Sequence, residues 1–130
     1  MEILTDILTE DAFRDELKGT AQFLSERGVA EAAVSFGFAP DSPDLEDVGT
    51  PYLVPVLEVP SFIADRERTK GFRLGVCDCW LEPAGLGGRF LFCNDRDIHF
   101  TSDSPGLLDL VRARWRQKGF RVYPDDLNRP

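Results

Sequence analysis

The 130-residue chain contains 23 acidic residues and 15 lysines or arginines, for a net charge of −8, and 42% of its residues are hydrophobic. This composition is typical of one globular domain over residues 1–130, with a frayed tail over residues 124–130. The acidic balance argues against nucleic acid or an anionic membrane as the partner, because both attract basic surfaces. The apolar runs are shorter than the roughly 20 residues of a membrane helix, and acids stand where a signal peptide has bases, so we expect a cytoplasmic protein.

The charge is unevenly distributed along the chain. Residues 1–58 carry 13 acids and three bases, a net charge of −10, whereas residues 59–130 carry 12 bases and ten acids, a net charge of +2. An acidic half is typical of a protein that binds a basic partner, although acids also keep proteins soluble.

A first helix is predicted from Thr9 to Arg27. Thr9 is a suitable N-cap, acids follow it in the first turn, and Gly28 suits the position after the last turn. The apolar residues that precede this helix, within residues 3–8, are predicted to form an extra turn that packs on the same core.

A second helix is predicted from Ser104 to Gly119, and its second half is basic. Arg112, Arg116 and Trp115 have two interpretations there. They form a contact for an acidic partner or a second copy of the chain, or the arginines face solvent and Trp115 lies in the core.

Five strands are predicted between the two helices, and a short sixth one follows the second helix. The strands cover residues 30–38, 52–59, 72–81, 89–93, 97–101 and 120–123. They are joined by an acidic loop, a polar connection over residues 64–71, a turn over residues 83–88 and a three-residue hairpin loop. Short connections favour an antiparallel meander, so the predicted fold class is α+β, with helices on one face and the other face partly open.

Three cysteines, the single histidine and one aspartate are predicted to share a sheet face. A turn centred near Gly85 places Cys77 opposite Cys93, and the hairpin loop pairs Cys93 with Asp97. The resulting set contains zinc-like ligands: Cys77, Cys79, Cys93, Asp97 and His99. The tight Cys-x₂₋₄-Cys spacing of structural zinc sites is absent, however, so the cysteines are interpreted first as reduced, buried packing residues and no metal is assigned.

Nucleophilic catalysis would have to use His99, with an aspartate as its orienting partner. The chain contains no Gly-x-Ser-x-Gly motif and no other catalytic or cofactor motif above background. The sequence therefore favours a binding protein over an enzyme, and no cofactor is expected.

By its size, acidity and layout, the chain is analogous to bacterial immunity proteins, which neutralise a toxic or basic enzyme by occluding its active site. The residues predicted to contact such a protein partner are Asp41, Asp44, Glu46, Asp47, Tyr52 and Glu58. One alternative is a dimeric secretion chaperone or adaptor that holds an extended client on a strand edge or open sheet face. Another is a small enzyme or metal protein that uses Cys77, Cys93, Asp97 and His99.

Overall fold

The computed structural model describes residues 1–37 and 48–124. Its strands are β1 (Glu2–Thr5), β2 (Glu31–Phe36), β3 (Tyr52–Pro55), β4 (Cys79–Pro83), β5 (Gly88–Phe92), β6 (Ile98–Ser102) and β7 (Val122–Tyr123). Its helices are α1 (Glu10–Glu26), α2 (Val59–Lys70) and α3 (Pro105–Gln117), and a 3-10 turn, Val56–Glu58, leads into α2. The predicted α+β class is confirmed.

The strands form one sheet in the order β3-β2-β4-β5-β6-β1-β7, and each neighbouring pair is antiparallel. The predicted helical turn over residues 3–8 was wrong, because Glu2–Thr5 is a strand inserted between β6 and β7. The pairing partners of this segment lie at the other end of the chain, so its local sequence could not indicate them.

The two faces of the sheet differ in burial. One, the covered face, carries fully buried side chains on which residues of all three helices pack; its members include Ile3, Val34, Phe36, Leu81, Phe90, Phe92, Ile98 and Phe100. The opposite side, the open face, carries mostly half-buried or exposed side chains, although Asp97 on this face is buried; the others include Leu4, Leu53, Trp80, Arg89, Leu91 and His99. None of the three described helices packs on the open face.

The caps of α1 and α3 follow the sequence prediction. Thr9 Oγ1 accepts a hydrogen bond from the N–H of Ala12 at 3.2 Å, and Ser104 Oγ accepts one from Leu107 at 3.3 Å. These caps satisfy backbone donors that a helix N-terminus otherwise leaves unpaired. None of the described helices is long and apolar enough to cross a bilayer.

Helix α2 was not predicted. The sequence predicts a strand as far as Val59 and a polar connection over residues 64–71, but the strand ends at Pro55 and a 12-residue helix begins at Val59. Proline suits the first turn of a helix, and Pro60 lies in the first turn of α2 rather than ending a strand. Val59, Ile63 and Arg66 supply its buried stripe at helical spacing.

The register between β4 and β5 differs from the prediction by one residue. Cys79 pairs with Phe92 and Leu81 with Phe90, so the turn contains four residues, 84–87. A shift of one residue moves every side chain of a strand to the opposite face. This shift determines where the cysteines lie.

Candidate functional site

Two of the predicted partner-binding residues line one groove. Tyr52 and Glu58 both border a cleft of about 660 Å³ between β3 and α2, which we call the β3 groove. The other four, Asp41, Asp44, Glu46 and Asp47, lie outside the described residues.

The β3 groove has an aromatic wall and an acidic rim. Phe62 and Tyr52 line it with ring centroids 5.7 Å apart, and Glu58 and Asp65 contribute carboxylates. Arg68 also borders the groove, but its guanidinium is paired with Asp65. The groove therefore offers apolar contact area with negative charge beside it.

Tyr52 is held against the core. Its ring lies 6.4 Å from the buried ring of Phe36, and the guanidinium of Arg66 lies 5.4 Å from its centroid. The side chain is consequently half-buried, and it forms part of the wall of the groove rather than projecting from it.

The neighbouring Leu53 is the exposed apolar residue at this site, and sequence reasoning missed it. Its exposed fraction is 66%, and it borders both the β3 groove and a second groove of about 580 Å³ on the open face. We call the second one the face groove; Ala33, Glu82, Arg89, Thr101 and Asp103 are among its lining residues. Beside it the guanidinium of Arg89 lies 3.9 Å from the ring of Trp80, a cation–π contact.

The backbone of β3 forms an edge of the sheet with few free donors. The N–H of Val56 donates to Ala30 O at 3.0 Å. Hydrogen-bonded pairs recur at every second residue of an antiparallel ladder, so Val54 and Tyr52 also form hydrogen-bonded pairs with β2. The backbone groups of Pro51, Leu53 and Pro55 then point away from β2. Two of these three residues are prolines, so Leu53 provides the outward N–H along this stretch.

The cysteines do not share one face, which corrects the prediction. Cys79 pairs with Phe92 and is buried on the covered face, and Cys77 is buried in the turn that precedes β4. Burial raises the pKa of Cys79 well above its ordinary value, and the negative charges of Asp78 and Glu67 add to this effect. Both thiols are buried in the hydrophobic core.

The other three members of the predicted set are brought together on the open face. The hairpin loop has the predicted three residues, 94–96, with Arg96 in the left-handed conformation that such loops use. The N–H of Cys93 donates to Asp97 O at 3.0 Å. One donor atom each from Cys93, Asp97 and His99 lies within 4.8 Å of the others.

The electrostatics of this cluster do not suit a cysteine nucleophile. Burial, reinforced by Asp95 and Asp97, raises the pKa of Cys93 to about 12, so the thiol is protonated at neutral pH. His99 Nε2 lies 3.0 Å from Asp97 Oδ1, and this hydrogen bond raises the pKa of His99 above its ordinary value despite burial. A neutral thiol beside a proton-retaining imidazole lacks the activated thiolate that cysteine hydrolases use.

The basic helix α3 is tied to the core rather than free. Trp115 is fully buried, and its Nε1–H donates to Glu16 Oε2 at 3.0 Å. The buried carboxylate of Glu16 also accepts hydrogen bonds from Arg114 and Lys118. Trp115 therefore lies in the core, while Arg116 is exposed and Arg112 pairs with Asp109.

Comparisons of the chain with protein-family models, with curated proteins and with solved structures give no match.

Proposed function

We propose that this chain is a small acidic protein-binding module, an inhibitor of the immunity-protein kind that covers the active site of a basic enzyme. The observation that carries the proposal is Leu53, an exposed leucine where the β3 groove meets the face groove. An apolar centre with a charged rim is the usual composition of a protein–protein contact.

The charge of the rim indicates a basic partner. Glu58 lies on the β3 groove, and Glu82 and Asp103 lie on the face groove. Among the ion pairs formed within residues 1–37 and 48–124, none uses these three carboxylates. A lysine or arginine that arrives from a partner would meet carboxylates that form no ion pair within the described residues.

An adaptor that pairs its edge strand with an extended client is less well supported. Strand addition depends on backbone hydrogen bonds along an edge, but Pro55 occupies one of the two outward positions of β3 and Pro51 directly precedes the strand. The other edge strand, β7, has two residues. Side-chain contacts in the grooves are thus a better basis for binding than strand addition.

The proposal is tested in two steps. The purified chain, immobilised as bait, is used to recover proteins from its native cell extract at low and high salt, and any recovered enzyme is purified. That enzyme's activity is then titrated with this chain. We expect a basic enzyme that is inhibited at one chain per active site, with association that slows as salt rises.

Two substitutions, one where the grooves meet and one in the β3 groove, test whether inhibition depends on this surface. Leu53→Lys and Glu58→Lys should each weaken inhibition by about 30-fold or more, which corresponds to roughly 2 kcal/mol at a binding hot spot. Leu110→Lys is the matched control, because Leu110 is an exposed leucine on α3, away from both grooves. Equal inhibition by all three variants and the wild type would refute the proposed surface, and an enzyme that stays active in a complex would refute inhibition.

A further inference from the structure

We propose that the hairpin joining β5 and β6 is a zinc site, in which Cys93 Sγ, a carboxylate oxygen of Asp97 and His99 Nε2 bind one Zn²⁺ ion. This site is separate from the grooves of the proposed function. The inference starts from the juxtaposition of three different donor types within 4.8 Å of one another.

The donor set matches the chemistry of zinc. A thiolate, an imidazole and a carboxylate are all ordinary zinc ligands, at metal–ligand distances of about 2.0–2.3 Å. Those distances place neighbouring donors of a tetrahedral ion roughly 3.3–3.8 Å apart. His99 Nε2 and Asp97 Oδ1 are 3.0 Å apart and the whole set spans at most 4.8 Å, so shifts of about 1 Å would suffice.

The backbone holds the three donors in place without a long loop. Cys93 and Asp97 face each other across the end of the hairpin, and His99 is two residues further along the same face. A second backbone hydrogen bond, from Arg96 N–H to Cys93 O at 3.1 Å, closes the turn between them. A site built on two paired strands needs little ordering when the metal binds.

A fourth residue, Glu2, places a carboxylate beside the other ring nitrogen of His99. The Nδ1 of His99 lies 3.4 Å from Glu2 Oε2, on the side of the ring opposite the proposed metal position. Zinc-ligating histidines commonly donate their other N–H to a carboxylate, which fixes the tautomer and the ring plane. Glu2 is therefore a positioning residue for His99.

The surroundings of Asp97 are rich in negative charge. Asp97 is 3% exposed, and its ion-pair contact among the described residues is with His99. Thr5 Oγ1 accepts a hydrogen bond from the N–H of Ile98, the residue after Asp97, and Asp6 is the residue after Thr5. Asp6 Oδ1 is buried and has no hydrogen-bond partner within the described part of the chain. A buried carboxylate such as that of Asp97 is stabilised when a cation is bound nearby.

The test is a metal titration of the purified full chain after treatment with a chelator. ZnCl₂ is added in competition with a chromophoric chelator, and Co²⁺ is used as a spectroscopic probe of the ligands. We expect one Zn²⁺ per chain, a higher Tm with the metal, and a thiolate-to-cobalt charge-transfer band in the wild type. The cobalt band reports on cysteine ligation without any substitution.

Variants then assign the ligands. Glu2→Gln should weaken zinc binding by roughly 10- to 100-fold, as loss of an outer-shell partner does, and Cys93→Ser and His99→Gln should weaken it further. Cys77→Ala is the control for a thiol outside the site, and Asp103→Asn is the control for an exposed carboxylate; both should bind zinc like the wild type. Absence of equimolar binding, a cobalt spectrum without the thiolate band, or undiminished binding by folded Cys93→Ser would overturn the assignment.

Discussion

The two faces of the sheet give neighbouring residues opposite roles, and β5 shows the contrast over four positions. Phe90 and Phe92 are fully buried under the helices, whereas Leu91 between them is half-buried on the open face and Arg89 is exposed. The covered face holds the fold together. The open face, with both the face groove and the Cys93–Asp97–His99 cluster, is free to carry recognition and chemistry.

The largest expected change in the free energy of unfolding comes from truncating a side chain on the covered face of β5. Phe92→Ala should lower the free energy of unfolding by about 3–5 kcal/mol, because it removes a ring that stacks edge-on against Phe13 at 5.6 Å. Leu91→Ala should cost about 1 kcal/mol, since its side chain is already partly in water. Urea unfolding of both variants measures the difference, and equal losses would mean that the open face is covered as tightly as the other.

The second prediction concerns the one buried carboxylate that links α1 to α3. Glu16→Gln should cost about 3 kcal/mol, because it leaves Arg114 and Lys118 without their shared anion. Glu10→Gln is the matched control on the same helix, where an exposed pair with Arg14 contributes at most about 0.5 kcal/mol. A similar, small loss in both variants would mean that the ion network contributes nothing beyond a surface pair.

The stability difference between the wild type and Glu16→Gln is expected to depend on pH. Burial alone would raise the pKa of Glu16, but hydrogen bonds from Arg114 and Lys118 outweigh burial and hold the pKa below its ordinary value of 4.5. The contribution of Glu16 is thus present above the unfolded-state pKa and is lost as the pH falls through the lowered pKa. The stability gap between wild type and Glu16→Gln should therefore shrink as the pH drops from 6 toward 3, and a constant gap would contradict the assignment.

Part of the covered face was predictable because its signals are local, but helix α2, which also packs there, was not predicted. Helices α1 and α3 carry their own caps, and the 94–96 loop fixes the pairing of Cys93 with Asp97 from within the hairpin. The strand β1 and the β4–β5 register were missed. Strand β1 depends on partners at the far end of the chain, and the β4–β5 register depends on where the glycine-rich turn is centred.

The candidate site was predictable only in part, for a similar reason. Tyr52 and Glu58 fit the usual pattern of an aromatic residue and an acid near a loop, and they do line the β3 groove. Leu53 was missed because a leucine in a predicted strand is usually assigned to the core. Its exposure follows from the strand order, which leaves β3 at an edge of the sheet. One signal was present in the sequence: prolines at 51 and 55 flank Leu53 on the same side of the strand.

The smallest of these predicted changes in stability comes from substituting those prolines. The substitution tests whether the prolines prevent other strands from pairing with the edge of β3. Replacing Pro51 and Pro55 together by valine should change the free energy of unfolding by no more than about 1 kcal/mol, because Pro51 and Pro55 are exposed. It should nevertheless add two outward N–H groups and promote concentration-dependent self-association, measured by analytical ultracentrifugation. Pro60→Ala, at the start of α2, is the control that should leave the association state unchanged.

If the double variant associates no more than the control, the prolines do not prevent strand pairing at the edge, and strand addition at β3 is no longer disfavoured. If it does associate, the natural edge is closed to strands, and the grooves around Leu53 are left as the surface for a folded partner.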